Sequence, residues 1–147
     1  MADMQFFPLE VASVEPETDL AIKVSFVVPA ELRERFRFQP GQYLTLQQNL
    51  DGVPVRRSYS ICAGIHDAAP QVAIKRVEGG LFSNYANDTL QAGDTVEVMP
   101  PQGSFFVPLD AGRARNYLFI ASGSGITPVI SNIRSILAEE PESRVTL

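Results

Sequence analysis

From Leu20 to Val28 the chain alternates, with Leu20, Ile22, Val24, Phe26 and Val28 on one side and Ala21, Lys23, Ser25 and Val27 on the other. A period of two marks an extended strand with one buried face, because successive side chains of a strand point to opposite sides. Weaker versions recur at residues 6–14, 42–47, 53–61, 71–77 and 95–99, with turn chemistry between them at Pro40-Gly41, Asp51-Gly52 and Gly93-Asp94. Six short strands so spaced imply an antiparallel barrel or sandwich. Two short helical segments interrupt them, at residues 30–36 and from about Leu81, and neither is long enough to form a layer. With 147 residues and 45% hydrophobic side chains, the chain can bury one proper core and little more.

The pattern changes after residue 110. Tyr117-Leu118-Phe119-Ile120-Ala121 is continuously apolar, as suits a parallel strand buried on both faces, and it runs into Ser122-Gly123-Ser124-Gly125. Thr127 is then expected to cap a helix starting at Pro128, with Ile130, Ile133, Ile136 and Leu137 at helical spacing until Glu140-Pro141. Arg144 to Leu147 reads as the start of another strand. Two parallel strands do not stand alone, so the expectation is a β-barrel over 1–110 followed by the truncated opening of an α/β domain over 111–147. The isoleucines would then pack on the barrel or on another copy, giving self-association through the exposed helix.

Composition narrows the function classes. Twelve basic against 17 acidic residues give a net charge of −5, which disfavours nucleic acid but not one small phosphate ligand. The single Cys62 and single His66 exclude a four-cysteine metal or iron–sulfur site built from this chain, and no metal is expected. Apolar runs fall short of the roughly 20 residues that cross a bilayer. The start MADMQFFPLE shows no secretory signal, so no membrane and a cytoplasmic location are expected. Cys62 and His66 lie four residues apart with no organised third group and read as incidental to catalysis.

Three segments could carry chemistry. In Val55-Arg56-Arg57-Ser58-Tyr59-Ser60-Ile61-Cys62, alternation puts Arg57 and Tyr59 on one face about 7 Å apart, a phosphate-pairing cation beside a stacking ring. A surface strand with a salt-bridged arginine fits the same spacing. In Ile74-Lys75-Arg76-Val77-Glu78-Gly79-Gly80-Leu81-Phe82-Ser83, a glycine pair at a strand-to-helix junction offers backbone N–H groups and the Ser83 hydroxyl to an anion, or is a plain turn. Gly123 to Pro128 is a second glycine turn where open α/β sheets bind nucleotides, though Pro128 breaks the G-x-G-x-x-G fingerprint and a tight turn is the competing reading.

In order, Arg57-Ser58-Tyr59-Ser60, Gly79-Gly80-Leu81-Phe82-Ser83, Pro101-Gln102-Gly103-Ser104-Phe105 and Gly123-Ser124-Gly125-Ile126-Thr127-Pro128 resemble the ferredoxin–NADP reductase superfamily over nearly the whole chain. More narrowly, residues 38–46, 56–62, 97–103 and 140–143 resemble the reductase components that serve bacterial phenylacetyl-CoA oxygenases. The resemblance implies a six-stranded Greek-key barrel that binds FAD, a nicotinamide-nucleotide domain, and a C-terminal [2Fe–2S] domain that this chain lacks. Electrons would pass from NAD(P)H through FAD to the cluster and on to a di-iron oxygenase partner.

By the same resemblance, Arg57 holds the FAD pyrophosphate, Tyr59 lies against the isoalloxazine, and Ser60 donates near flavin N5, with Ser58 between them. Strict alternation points the Ser60 side chain away from Tyr59, so its backbone N–H or a strand twist would make that contact. Ile74 and Lys75 flank the flavin or its ribityl chain by main-chain contacts, while Gly79, Gly80, Leu81, Phe82 and Ser83 receive the pyrophosphate. Gly123, Gly125 and Thr127 border the nicotinamide and its diphosphate, and Tyr59, Ser60 and Thr127 stand where hydride crosses. The segment that would choose NADH or NADPH is absent, so the expectation is a piece competent at most to bind flavin. Two other readings stand: an electron-transfer subunit of another dehydrogenase, and a non-catalytic ligand-binding barrel.

Overall fold

The two-residue link Asp51-Gly52 sets a tight hairpin. Both residues have positive φ, 52° and 81°, the backbone of the tight turn whose twist matches its flanking strands. It joins β3 (Tyr43–Leu50) to β4 (Val53–Ser60) in continuous register from Leu50↔Val53 to Tyr43↔Ser60. In this computed structural model, which describes residues 5–147, the remaining strands are β1 (Phe7–Thr18), β2 (Ala21–Val27), β5 (Gln71–Lys75) and β6 (Thr95–Gln102). They pair antiparallel in the order β4-β3-β6-β1-β2-β5, so the chain crosses between non-neighbouring strands in Greek-key fashion.

The sheet curls until its edges meet at one point. Past the end of β4, Ile61 bridges Val72 of β5 and the Cys62 N–H donates to the Gln71 carbonyl at 2.9 Å. Elsewhere the two edge strands stay apart, and the gap is spanned by α1 (Leu81–Asp88). Alternation explains the filling: Leu9, Val11, Val24, Phe26, Leu44, Leu46, Val72, Ile74, Val96 and Val98 are all fully buried in one cluster, with Phe82 of α1 beside them. Each such side chain contributes roughly 1.5–3 kcal/mol on burial. Pro54 falls on edge strand β4, where the missing N–H costs no ladder bond.

The structure departs from the local sequence pattern at three places. The helix expected over 30–36 is a 3₁₀ turn, Ala30–Leu32, followed by turns that bring Phe36 into the core. The five-residue apolar strand expected from Tyr117 is only β7 (Asn116–Leu118), paired in parallel on one side with β8 (Arg144–Thr146). Leu118 and Ile120 are 71% and 88% exposed, not buried on both faces, because among the described residues only β8 pairs with β7.

The third departure concerns α2 (Ile126–Glu139). A 3₁₀ turn at Gly123–Gly125 feeds directly into it, so Thr127 already lies in the first helical turn. Its hydroxyl donates to the Ser124 carbonyl at 2.9 Å, bonding back along the chain instead of capping. Nor do the isoleucines supply the contact with the barrel. Ile130 and Ile133 are half-buried, Leu137 is exposed, and Ile136 is buried but outside the barrel's core cluster. Ser131, Asn132 and Ser135 face the barrel instead, and each bonds to a main-chain atom.

Candidate functional site: the open flank between β4 and β5

The register of the hairpin decides which way the Arg57–Ser60 side chains point. Arg57 and Tyr59 pair with Leu46 and Leu44, which are both fully buried, so the two share the inward face of the sheet. At this edge the sheet has splayed from β5, so Arg57 stays exposed and Tyr59 half-buried. Ser58 and Ser60 are on the outer face, opposite Thr45 and Tyr43, and Ser58 shares a 2.9 Å hydroxyl contact with Thr45. The separation of Ser60 from Tyr59 expected from alternation is present.

Arg57 is not a salt-bridged surface arginine. Its one hydrogen bond to a described residue runs from Nη1 to the neighbouring Arg56 carbonyl at 2.6 Å, leaving most of its guanidinium donors available. The Tyr59 ring packs on Phe82 at 5.9 Å between centroids, and Phe82 packs edge-on to Tyr85 at 6.1 Å. Burial pushes the Tyr59 phenol up, partly offset by the Arg57 charge, so the ring stays neutral.

The second wall is the glycine turn ahead of α1. Gly79 has φ of 69°, and a Cβ there would meet nothing within 4 Å, so the turn faces open space. Gly80 is required for a different reason: a Cβ would come within 2.5 Å of the Ser83 hydroxyl. Ser83 is buried and its Oγ accepts the Val77 N–H at 3.1 Å, which folds the turn onto the helix and leaves the hydroxyl proton for another acceptor. Leu81 is exposed and Phe82 fully buried, so this helix start presents backbone donors on one side and a ring to the core on the other.

Side chains that sequence reasoning missed hold this wall in place. Arg76 pairs with Asp88 at 2.6 Å and donates to Asn84 at 3.2 Å, and Asn87 donates to the Ile74 carbonyl at 3.1 Å. Together they tie α1 to the end of β5. Ile74 itself is core, whereas Lys75 is exposed at the strand end. The available signal is an arginine opposite an aspartate twelve residues on, across a strand–turn–helix.

Gly123, Gly125 and Thr127 lie between β7 and the first turn of α2, outside the six-stranded sheet. A Cβ on either glycine would meet nothing within 4 Å, and Gly123 has φ of 55°. No described contact joins Thr127 to Tyr59 or Ser60; the link is indirect, through Ser131 of α2 and Ala63. Cys62 is buried, donates to the Gln71 carbonyl at 3.5 Å, and burial pushes its thiol up to about 11. His66 pairs with Glu139 on α2, away from Cys62's partner, so the two form no reactive pair.

An available guanidinium, a half-buried ring and a glycine-opened helix start line one flank of a Greek-key barrel, an arrangement that fits a diphosphate joined to a planar heterocycle. That is the construction of a flavin-binding oxidoreductase module. Residues 9–107 match the oxidoreductase FAD-binding domain family, and the chain belongs to it.

A component of the 1,2-phenylacetyl-CoA epoxidase of Escherichia coli K12 is 49% identical over 142 residues, covering 97% of this chain and 40% of that protein. The ferredoxin reductase component of 3-ketosteroid-9-alpha-monooxygenase from Rhodococcus rhodochrous is 41% identical, over 89% of this chain and 37% of the relative. Among solved structures, phthalate dioxygenase reductase superposes with a TM-score of 0.75 at 31% identity, covering 95% of this chain and 42% of that one. A ferredoxin NADP+ reductase from Neisseria gonorrhoeae gives a TM-score of 0.73 at 22% identity, covering 97% and 57%, and shares the fold. The chain thus spans about 40% of the length of the curated relatives it matches. No helix among the described residues is long and apolar enough to cross a membrane.

Proposed function

We propose that this chain is the flavin-holding part of a reductase component that carries electrons from NAD(P)H, through FAD and an iron–sulfur centre, to a di-iron oxygenase acting on phenylacetyl-CoA. The observation that carries the proposal is the Arg57 guanidinium, open to an anion on the same face as Tyr59, whose ring packs on Phe82 of the helix that follows the Gly79-Gly80 turn. The relationship to a phenylacetyl-CoA epoxidase component at 49% identity supports the choice of oxygenase. The likeness to phthalate dioxygenase reductase, which transfers electrons from pyridine nucleotides to [2Fe–2S], supports the iron–sulfur centre, and the setting we propose is cytoplasmic.

The chemistry supplied when FAD is bound is acceptance of two electrons as hydride and their release one at a time. The chain's own residues supply place and polarity. Arg57 neutralises the pyrophosphate, and the N–H groups of Leu81, Phe82 and Ser83, with the Ser83 hydroxyl proton, complete its cradle, while the Gly80 N–H is spent on the Val77 carbonyl at 2.9 Å and shapes the turn. Tyr59, fixed by Phe82, lies against the flavin ring. Ser58 and Ser60 turn outward, so that the Ser60 backbone N–H, not its side chain, makes the contact near N5. Ile74 and Lys75 flank the ribityl chain by main-chain atoms. Gly123, Gly125 and Thr127 leave room for the nicotinamide and its diphosphate on the second unit, residues 111–147, which we read as the first part of a nicotinamide-nucleotide domain.

Titration of the purified chain with FAD, followed by flavin absorbance and fluorescence, tests the reading. The expected result is saturable binding that weakens about 30-fold in Arg57→Ala, the loss of about 2 kcal/mol for a charge-assisted contact. Binding equal in the variant would remove Arg57 from the site; no binding by the parent would overturn the flavin reading.

A further inference from the structure

The face that α2 turns to the barrel is made of polar side chains. Ser131 and Ser135 are both fully buried and Asn132 is 1% exposed, although the helix has Val129, Ile130, Ile133 and Ile136 to spare. Buried hydroxyls and amides are costly unless bonded, and here both serines and the Asn132 amide N–H find main-chain partners on the barrel, while the Asn132 Oδ1 has none among the described residues. Ser131 donates to the Ala63 carbonyl, the Ser135 oxygen accepts the Ile65 N–H at 3.1 Å, and Asn132 donates to the Phe105 carbonyl at 3.3 Å. The Ser135 proton is spent on the Ser131 carbonyl at 2.8 Å, so both serines are bonded in one chain from helix to loop.

Two glycines allow this approach. A Cβ at Gly64 would lie 3.2 Å from the Arg134 Cβ, and one at Gly41 would lie 1.9 Å from the Phe105 oxygen and 2.6 Å from the Asn132 amide nitrogen. The helix is therefore seated in two backbone notches. Arg134–Asp67 at 3.0 Å and His66–Glu139 flank the seam outside.

An apolar contact can slide and rotate with little penalty, whereas hydrogen bonds to fixed main-chain atoms lose strength steeply with angle and distance. Such a seam specifies position. The loop that receives it, Ala63 to Ile65, directly continues the strand bearing Tyr59 and Ser60, with Ser60 roughly 10 Å upstream of Ala63 by strand rise. On the other side, Thr127 is one turn, about 6 Å, before Ser131.

We propose that Ser131, Asn132 and Ser135 are positioning residues that fix the Gly123–Thr127 turn relative to the flavin edge of β4. The proposal rests on the flavin reading above and deepens it. The polar seam sets the distance across which a nicotinamide carried by the second unit would face the flavin, while the barrel alone sets flavin affinity.

The test uses the 147-residue chain with spin labels on Glu10→Cys of β1 and Ala138→Cys of α2, two exposed positions outside both sites. Cys62 stays in place as a buried thiol, and a sample without the two introduced cysteines, treated with the same label, checks that it takes none. Pulsed electron resonance gives the label distance distribution, and visible circular dichroism of added FAD reports the flavin's surroundings. In Ser131→Ala/Ser135→Ala the distribution is expected to broaden about twofold or more while the Kd for FAD stays within about threefold. The dichroism of bound FAD changes at the same time. Gly64→Ala keeps every hydroxyl and moves the helix, so it is expected to shift the mean distance and the dichroism without broadening. It stands in if the double variant does not fold.

A distribution unchanged in both variants would overturn the proposal, as would broadening that leaves the flavin dichroism unaltered, since the seam would then be structural only. A parent that binds no FAD would overturn the flavin reading, and the label distances would then decide whether the seam fixes the helix.

Discussion

The barrel and the unit that follows it are held together by opposite means. Inside the barrel, buried aliphatic and aromatic side chains from all six strands meet in one cluster, and among the described residues Ser25 and Ser83 are its only buried polar side chains. In residues 111–147 the balance shifts: Ser131, Asn132, Ser135, Glu140 and Ser143 are buried beside only Val129 and Ile136, while Leu118, Ile120, Leu137 and Leu147 are exposed. Burial of apolar area supplies free energy but little direction, and hydrogen bonds supply direction but little net free energy. The barrel is built to be stable and the second unit to be placed.

Glu140 shows the second strategy most clearly. It is fully buried at the end of α2 and accepts from Ser143 at 2.8 Å, Tyr117 at 2.9 Å and the Asp110 N–H at 3.1 Å, with Arg113 3.5 Å away. Burial alone would push its carboxyl up, but the hydrogen bonds and the Arg113 charge together hold it below the ordinary range. One carboxylate thus fastens the connecting segment, β7 and the turn before β8 to the helix.

If the contrast is right, the largest effect belongs to the barrel core. Phe26→Ala is expected to cost about 3–5 kcal/mol, read as a lowered urea midpoint by far-ultraviolet circular dichroism. A loss under about 1 kcal/mol would mean that the core is not the main source of stability. Next comes Glu140→Ala, at about 3 kcal/mol, confined to the second unit. Hydrogen exchange should accelerate in Asn116–Leu118 and Ile126–Glu139 and hold in the barrel strands; equal acceleration in both regions would erase the distinction.

The same carboxylate sharpens the contrast by pH. Its folded pKa is depressed, so its stabilisation is present above the ordinary value of 4.5 and is lost as pH falls through the lower folded value. Protection of α2 should therefore fall on acidification below about that pH, and Glu140→Gln should abolish the step.

Cys62, at the border of the two regions, offers a smaller test. With its thiol raised from 9.0 to about 11, its thiolate fraction at pH 8 is lowered roughly 100-fold. Alkylation by iodoacetamide should be correspondingly slow; reaction at the rate of a free thiol would show that the border opens. The smallest effect is expected from Leu118→Ser/Ile120→Ser, which should reduce any self-association seen by sedimentation velocity a few-fold and leave the urea midpoint unchanged.

How legible each region is in the sequence follows from the same physics. Barrel strands can be read because one face of each is buried, which writes a period of two, and because Asp51-Gly52 states its own turn. The shared face of Arg57 and Tyr59, with Ser60 opposite, follows from alternation alone. The second unit misleads in proportion to its polarity. Ser131, Asn132 and Ser135 look like a solvent face beside a stripe of isoleucines, and nothing local says that backbone of the barrel lies against them. Glu140 reads as a helix stop because its four partners are spread from residue 110 to residue 143. Phe119 to Ala121 is apolar enough for a strand, but extended pairing needs a neighbour, and that is not written in the segment itself.

The glycine turn ahead of α1 also bears on how the chain is cut. Val77, Glu78 and Gly79 are exposed, and nothing packs over Gly79. Exposed tips of this kind are where a protease cuts first, and a glutamate-specific enzyme has its recognition residue at Glu78. A molecule seated on the adjacent helix start would screen that bond, and cleavage would slow in proportion to occupancy. The chain therefore carries its own footprint assay: the cut at residue 78 fades as the cradle fills, while cuts at other exposed glutamates such as Glu34 and Glu142 hold constant and serve as the reference.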